Sequence, residues 1–239
     1  MREIRLIEQN RCCHLISRLV RRAFFLFKSA WRSVRVNAVP MAVLWLFAAA
    51  LIVSYRFVPA VANALEPLSR WQTESGWVAA FLNRVVFCGL LPGVFLATMP
   101  SIRPRKVGWV VLAYSLWAGL WGILCDGFFT FQACLFGSGH DVLMIVKKTI
   151  VDQLVWNVAI CAPANAVFFP WVASGFSRRG RVRDNFLPML VANWIVWWPV
   201  MAVVYLFPLP LQIQLVGLVG AIWMLVALRS GRRRIERER

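Results

Sequence analysis

Hydrophobic residues in this chain come in long blocks, not at the spacing of an amphipathic helix or a half-buried strand. Positions 38–58, 77–98, 107–136, about 142–172, 185–205 and 209–229 are predominantly apolar, and most charge falls between them. A hydrocarbon core about 30 Å thick needs roughly 20 apolar helical residues to cross it. The blocks therefore predict six transmembrane helices. The last two flank a Pro208-Leu209-Pro210 turn, with no charged residue between Asp184 and Arg229, and so predict a hairpin. Asp141 has the place and chemistry of an N-cap for the fourth helix. Residues 56–76, charge-balanced and mixed in polarity, read as a loop between the first two spans. A transmembrane β-barrel would instead need alternating segments of about 10 residues.

The expected fold is all-α, a polytopic transmembrane helical bundle of about six spans (four to six). Residues 38–229 form its single domain, preceded by a basic, amphipathic N-terminal arm at 1–37 and followed by a basic C-terminal tail at 230–239. Composition agrees: 60% of residues are hydrophobic and 15% charged, where a soluble domain carries about 25% charged. The net charge of +17 could suggest nucleic acid, but its placement does not. The arm carries +7, the 101–106 loop +3, the 178–184 loop +3 and the tail together with Arg229 +4, while the segments 56–76 and 137–152 are neutral. Basic segments thus fall on every second loop, which predicts both termini on the cytoplasmic-type side. The partners expected are the lipid bilayer and anionic lipid head groups, with no nucleic acid. The arm reads as an interfacial helix, with an organelle presequence as its alternative. The six cysteines have no metal or redox spacing and read as apolar fillers; Cys12 and Cys13 are alternatively acylation sites.

Polar groups inside hydrocarbon are expensive, and each is a functional candidate by default. Arg84 lies inside the second span and Asp126 inside the third, so Arg84 is expected to snorkel outward or to pair with a carboxylate, Asp126 being the natural candidate, or else to take a solute-facing role. In the fourth helix Thr149, Gln153, Asn157, Cys161 and Asn165 recur every four residues. Each step drifts about 40° on an α-helix, giving a spiral stripe that faces other helices or a water-filled path. Lys148 and Asp152 are placed to pair across one turn. Pro163 and Pro199 predict kinks. Ser115 with Gly119, and Ala118 with Gly122, permit close helix approach within the chain or between copies, so a homo-oligomer is one option. Asn193 lies near mid-span, and Trp194, Trp197, Trp198, Met201 and Tyr205 share a face that reads as packing. No hydrolase, phosphate-loop or zinc-protease motif is present. The expectation is that the chain is no enzyme and uses no cofactor or metal.

Several of these residues together resemble the Mpv-seventeen / 22-kilodalton peroxisomal membrane protein family. Trp121 with Asp126 is similar to its Trp…Asp helix end. Lys148, Asp152, Gln153 and Pro163 look like its Lys…Asp-Gln…Pro helix. Asn193, Trp194, Trp197 and Pro199 resemble its Asn-Trp-x-x-Trp-x-Pro segment, and Pro208 with Trp223 its closing residues. Departures stand beside these matches: Pro92-Gly93 replaces a Gly-Asp, Ser115-Leu116 a Gly-Pro, and Met201 and Val204 two amides. The resemblance implies a divergent, possible bacterial member in a cytoplasmic (inner) membrane, or a mitochondrial inner or peroxisomal membrane if eukaryotic. It implies association with non-selective channel activity. The leading expectation is a small-solute channel or permeation protein, its path lined by Arg84, Asp126, Asp152, Gln153, Asn157, Asn165 and Asn193. A structural or assembly protein whose polar residues join helices is the second reading, and an unrecognised membrane enzyme the third.

Overall fold

The structure, a computed structural model, describes residues 42–43, 45–98, 106–177 and 182–237. The 1–37 arm, most of the 101–106 loop and positions 178–181 lie outside the described residues, as do Cys12 and Cys13.

The described residues form helices joined by short turns, with no strand among them. Helix α1 (Trp45–Phe57) bends by 103° into α2 (Pro59–Ser75). The cause is local. A residue before proline is pushed out of the helical region, and Val58 accordingly has φ −116° and ψ 100°, while Pro59 suits a first helical position. The segment expected to be a loop is therefore a helix. Its charges sit on an exposed face, where Arg70 Nε donates to Glu66 Oε1 at 3.1 Å. Leu65 and Leu68 pack against the core, and Gln72 is buried. Mixed polarity here marks an amphipathic helix, ended by Gly76 at φ +49°, a conformation glycine adopts without steric cost.

Four continuous rods are long and apolar enough to cross a membrane: Trp77–Phe95, Val107–Phe136, Val142–Val172 and Asn185–Val204. The first comprises α3 (Trp77–Arg84), a π-helical segment (Val85–Leu90) and α4 (Leu91–Thr98). The second is α5 (Val107–Phe136). The third comprises α6 (Val142–Ile150), a longer π-helical segment (Val151–Cys161) and α7 (Ala162–Ala173). Asp141 caps it, accepting from the Met144 N–H at 3.0 Å. The fourth is α8 (Val182–Val204), which continues through Pro188 and Pro199. Each π-helical segment ends two residues before a proline, Pro92 or Pro163. Proline removes one N–H and crowds the carbonyl four residues back. Widening the preceding turns moves that contact to i→i−5, as in the Leu91 N–H to Val86 and Ala162 N–H to Asn157 bonds.

The predicted sixth span packs inside the bundle. Its helix is α9 (Leu209–Arg237), with side chains described as far as Met224; the apolar run continues in sequence to Leu228, about the length of a crossing. Every residue from Leu211 to Gly217 is buried, and the helix touches α2, α3, α4, α5, α7 and α8. It is the bundle's central post. Among the described residues, four helices meet the length and apolarity of a span, or five if the bent α1–α2 pair counts as one.

Outside and inside are inverted relative to a soluble bundle. On α5, Leu112, Leu116, Leu120 and Leu124 form an exposed stripe, while Ser115, Ala118, Gly119 and Gly122 are buried on the other side. The small residues bring α5 against the first rod: a Cβ at Gly122 would lie 2.3 Å from the Ala80 carbonyl oxygen, and one at Gly119 2.4 Å from the Phe81 ring. The close approach allowed by this pattern therefore occurs within the chain. Apolar rods of spanning length with an apolar exterior make this an integral membrane protein.

Candidate functional site

A half-enclosed cavity of about 110 Å³ lies between the rods. Its wall is polar on one side: Arg84 comes from α3, Asp152, Gln153 and Asn157 from the long π-helical segment, Asn165 from α7 and Asn193 from α8. Trp117 and Trp121 from α5, Trp156, Trp197 from α8 and Trp223 from α9 supply the aromatic part. Trp117 stacks on Phe168 at 4.2 Å, and Trp156 on Phe128 at 4.3 Å, so these indoles are held rigidly.

The π-helical segment explains why the polar row faces one space. On an α-helix a four-residue step overshoots a full turn by about 40°. Wider i→i+5 turns hold more residues, so the same step falls short of a turn. Between Val151 and Cys161 the turns are wide, and beyond Ala162 they are α-helical, so the two offsets oppose each other. The expected spiral becomes a row that keeps Gln153, Asn157, Cys161 and Asn165 on one wall.

Within that wall the hydrogen bonds have a direction. The Asn193 amide donates to Asn157 Oδ1 at 3.0 Å, Asn157 to Gln153 Oε1 at 3.1 Å, and Gln153 to Asp152 Oδ1 at 2.8 Å. From the other side Gln132 Nε2 donates to Tyr205 Oη at 3.1 Å, and Tyr205 Oη donates to Asp152 Oδ2 at 2.8 Å. Both arms deliver hydrogens to one carboxylate. Trp194 Nε1 ties α8 to the Gln153 carbonyl at 2.9 Å. A second row lies apart from the cavity. Asn83 donates to Gln214 Oε1, Gln214 to Gln72 Oε1 at 2.8 Å, and Gln72 to Asp126 Oδ1 at 3.0 Å, which clamps α2, α3, α5 and α9.

Two expected ion pairs are absent. Arg84 does not meet Asp126, because Asp126 is turned toward α2 and accepts from Gln72. Asp126 is accordingly outside the cavity wall, whereas Arg84, Asp152, Gln153, Asn157, Asn165 and Asn193 are in it. Lys148 does not pair with Asp152, whose two oxygens are taken by Gln153 and Tyr205. Arg84 instead lies between two thiols, with Nη1 3.8 Å from Cys88 Sγ and Nη2 3.5 Å from Cys125 Sγ. Its Nε has no partner. Two of the cysteines read as fillers thus contact the buried cation. Gln72, Gln132, Gln214 and Tyr205 escaped the sequence reading as network members. The signal was available for Gln132 and Gln214, which are amides inside apolar blocks just as Gln153 is. Among the described residues, no group of three or more His, Cys, Asp or Glu could hold a metal ion.

No family model, no curated protein and no solved structure matches the chain.

Proposed function

We propose that this integral membrane protein passes small solutes across its bilayer, with the cavity as the station at which they are held. One observation carries the reading. A membrane bundle has every reason to fill its interior with apolar side chains, yet here a polar row and a guanidinium share a wall with open space. The resemblance to the Mpv-seventeen type points the same way, as analogy. In this reading Asn157, Asn165 and Asn193 offer hydrogen bonds to a solute stripped of water, the indoles cover its apolar surface, and the chain does no covalent chemistry. The second row, Asn83 to Asp126, favours helix joining for its own members, since it lies outside the cavity wall.

Reconstituted proteoliposomes test the proposal by flux of small neutral and charged tracers. Wild-type protein should accelerate release. Cys161→Phe, which adds a ring at the wall and removes no hydrogen-bonding member of the row, should slow it. Asp126→Asn should lower stability and leave flux unchanged. Vesicles no leakier than protein-free controls, in any lipid tried, would overturn the proposal.

A further inference from the structure

We infer that the cavity takes a small organic anion, a carboxylate on an apolar body of a few carbons or one ring, and that Arg84 is the anchor for its head group. The inference rests on the reading of the cavity as a solute station and names the solute's class.

Arg84 is 7% exposed and lines the cavity. A guanidinium cannot shed its charge as a buried lysine can, so it must be neutralised by position. No carboxylate among the described residues does this. Asp152 has both oxygens committed to Tyr205 and Gln153, and Asp126 faces Gln72. The two contacts Arg84 does make go to thiol sulfurs, which are weak acceptors, and Nε is left bare. A buried charge without a counterion is strongly destabilising. Open space beside that charge is where a counterion fits.

The class of anion follows from the remaining wall. A planar fork of N–H donors matches a carboxylate two bonds at a time. Only one cation is offered, and Asp152 stands on the same wall, so a monoanion suits the field and a dianionic phosphate does not. Trp117, Trp121, Trp156 and Trp223 give the body of the ligand an apolar surround. The volume, about 110 Å³, is below the roughly 150 Å³ of a closed protein cavity that holds benzene, so a body of a few carbons fits inside and a single ring fits only by projecting through the open side of this half-enclosed cavity.

The test is calorimetric titration of the purified full chain in nanodiscs with benzoate, benzamide and benzylamine, which share a ring and differ in head-group charge. Benzoate should bind at least tenfold more tightly than either. Arg84→Met should abolish that preference and raise the melting temperature of the ligand-free protein, because it removes an unpaired buried charge. A merely structural arginine would lower it. If benzamide binds as tightly as benzoate, the anion inference falls while the solute station stands. If none of the three binds wild-type protein that still releases tracers, the inference falls as well. Benzoate binding without tracer flux sustains the anion site and removes the transport proposal. The ligand series on wild-type protein decides the matter even if Arg84→Met fails to fold.

Discussion

Two glycines on α5 separate packing from intrinsic helix preference. Replacing either Gly122 or Gly127 by alanine gains the same propensity, up to about 1 kcal/mol. Their surroundings differ completely. A Cβ at Gly127 meets nothing within 4 Å, whereas one at Gly122 comes 2.3 Å from the Ala80 oxygen and 2.9 Å from Arg84 Cγ. The first of these neighbours is backbone and cannot rotate away, so α5 must retreat from α3 by about 1 Å, since overfilling a packed seam forces backbone shifts. Overpacking of this kind costs about 1–3 kcal/mol, and separation forfeits dispersion contacts along the rest of the seam. The penalty therefore exceeds the gain. Gly122→Ala should lose about 1–2 kcal/mol and Gly127→Ala should gain up to about 1 kcal/mol, the packing term outweighing propensity only at the first site. Unfolding by graded SDS in mixed micelles, followed by far-UV circular dichroism, measures both. Equal midpoints for the two variants would refute the seam between α3 and α5.

Tyr205→Phe strips one acceptor from Gln132 and one donor from Asp152, both buried, and should cost about 1–3 kcal/mol in the same titration. Adding Gln132→Leu should then cost less than it does alone, because its partner is already gone; strict additivity in the cycle would argue that the two do not interact. Leu120→Arg places a cation on the exposed apolar stripe of α5 and should raise the insertion cost by about 2.5–3.5 kcal/mol. Carbonate extraction of membranes reads the outcome, and wild-type retention of this variant would argue that the stripe does not face hydrocarbon.

The membrane class and the fourth helix's polar row were legible, because blocks of apolar residues and amides at a four-residue period carry their meaning locally. Local reasoning failed where three-dimensional partners decide. Residues 56–76 looked like a loop because Glu66, Arg70 and Glu74 dilute the apolar signal; only the bundle's flank gives Leu65, Leu68 and Gln72 something to bury against. Arg84 and Asp126 looked like a pair because they are opposite charges in neighbouring spans. Their rotation about α3 and α5 sets one toward the cavity and the other toward Gln72, and sequence does not give relative rotation. The straightening of the polar row depends on a run of wide turns, for which Pro163 alone was a partial sign. The enclosure of the last apolar block was not legible, because composition does not distinguish a lipid-facing helix from one buried among others, as α9 is over Leu211–Gly217. Gln212 and Gln214 were the residues out of keeping with lipid exposure, and both are buried.

The amide row ending at Asp152 has an orientation as well as a membership. An amide presents hydrogens at one end and an oxygen at the other, so turning any member over pits like against like at both neighbours. Asn193, Asn157 and Gln153 must therefore choose together, and a carboxylate that only accepts settles the choice for all of them. The far end of the row is Asn193 in the cavity wall, with its Oδ1 left without a partner. The way that amide is turned at the cavity wall was decided at Asp152, on another helix and at the opposite end of the row.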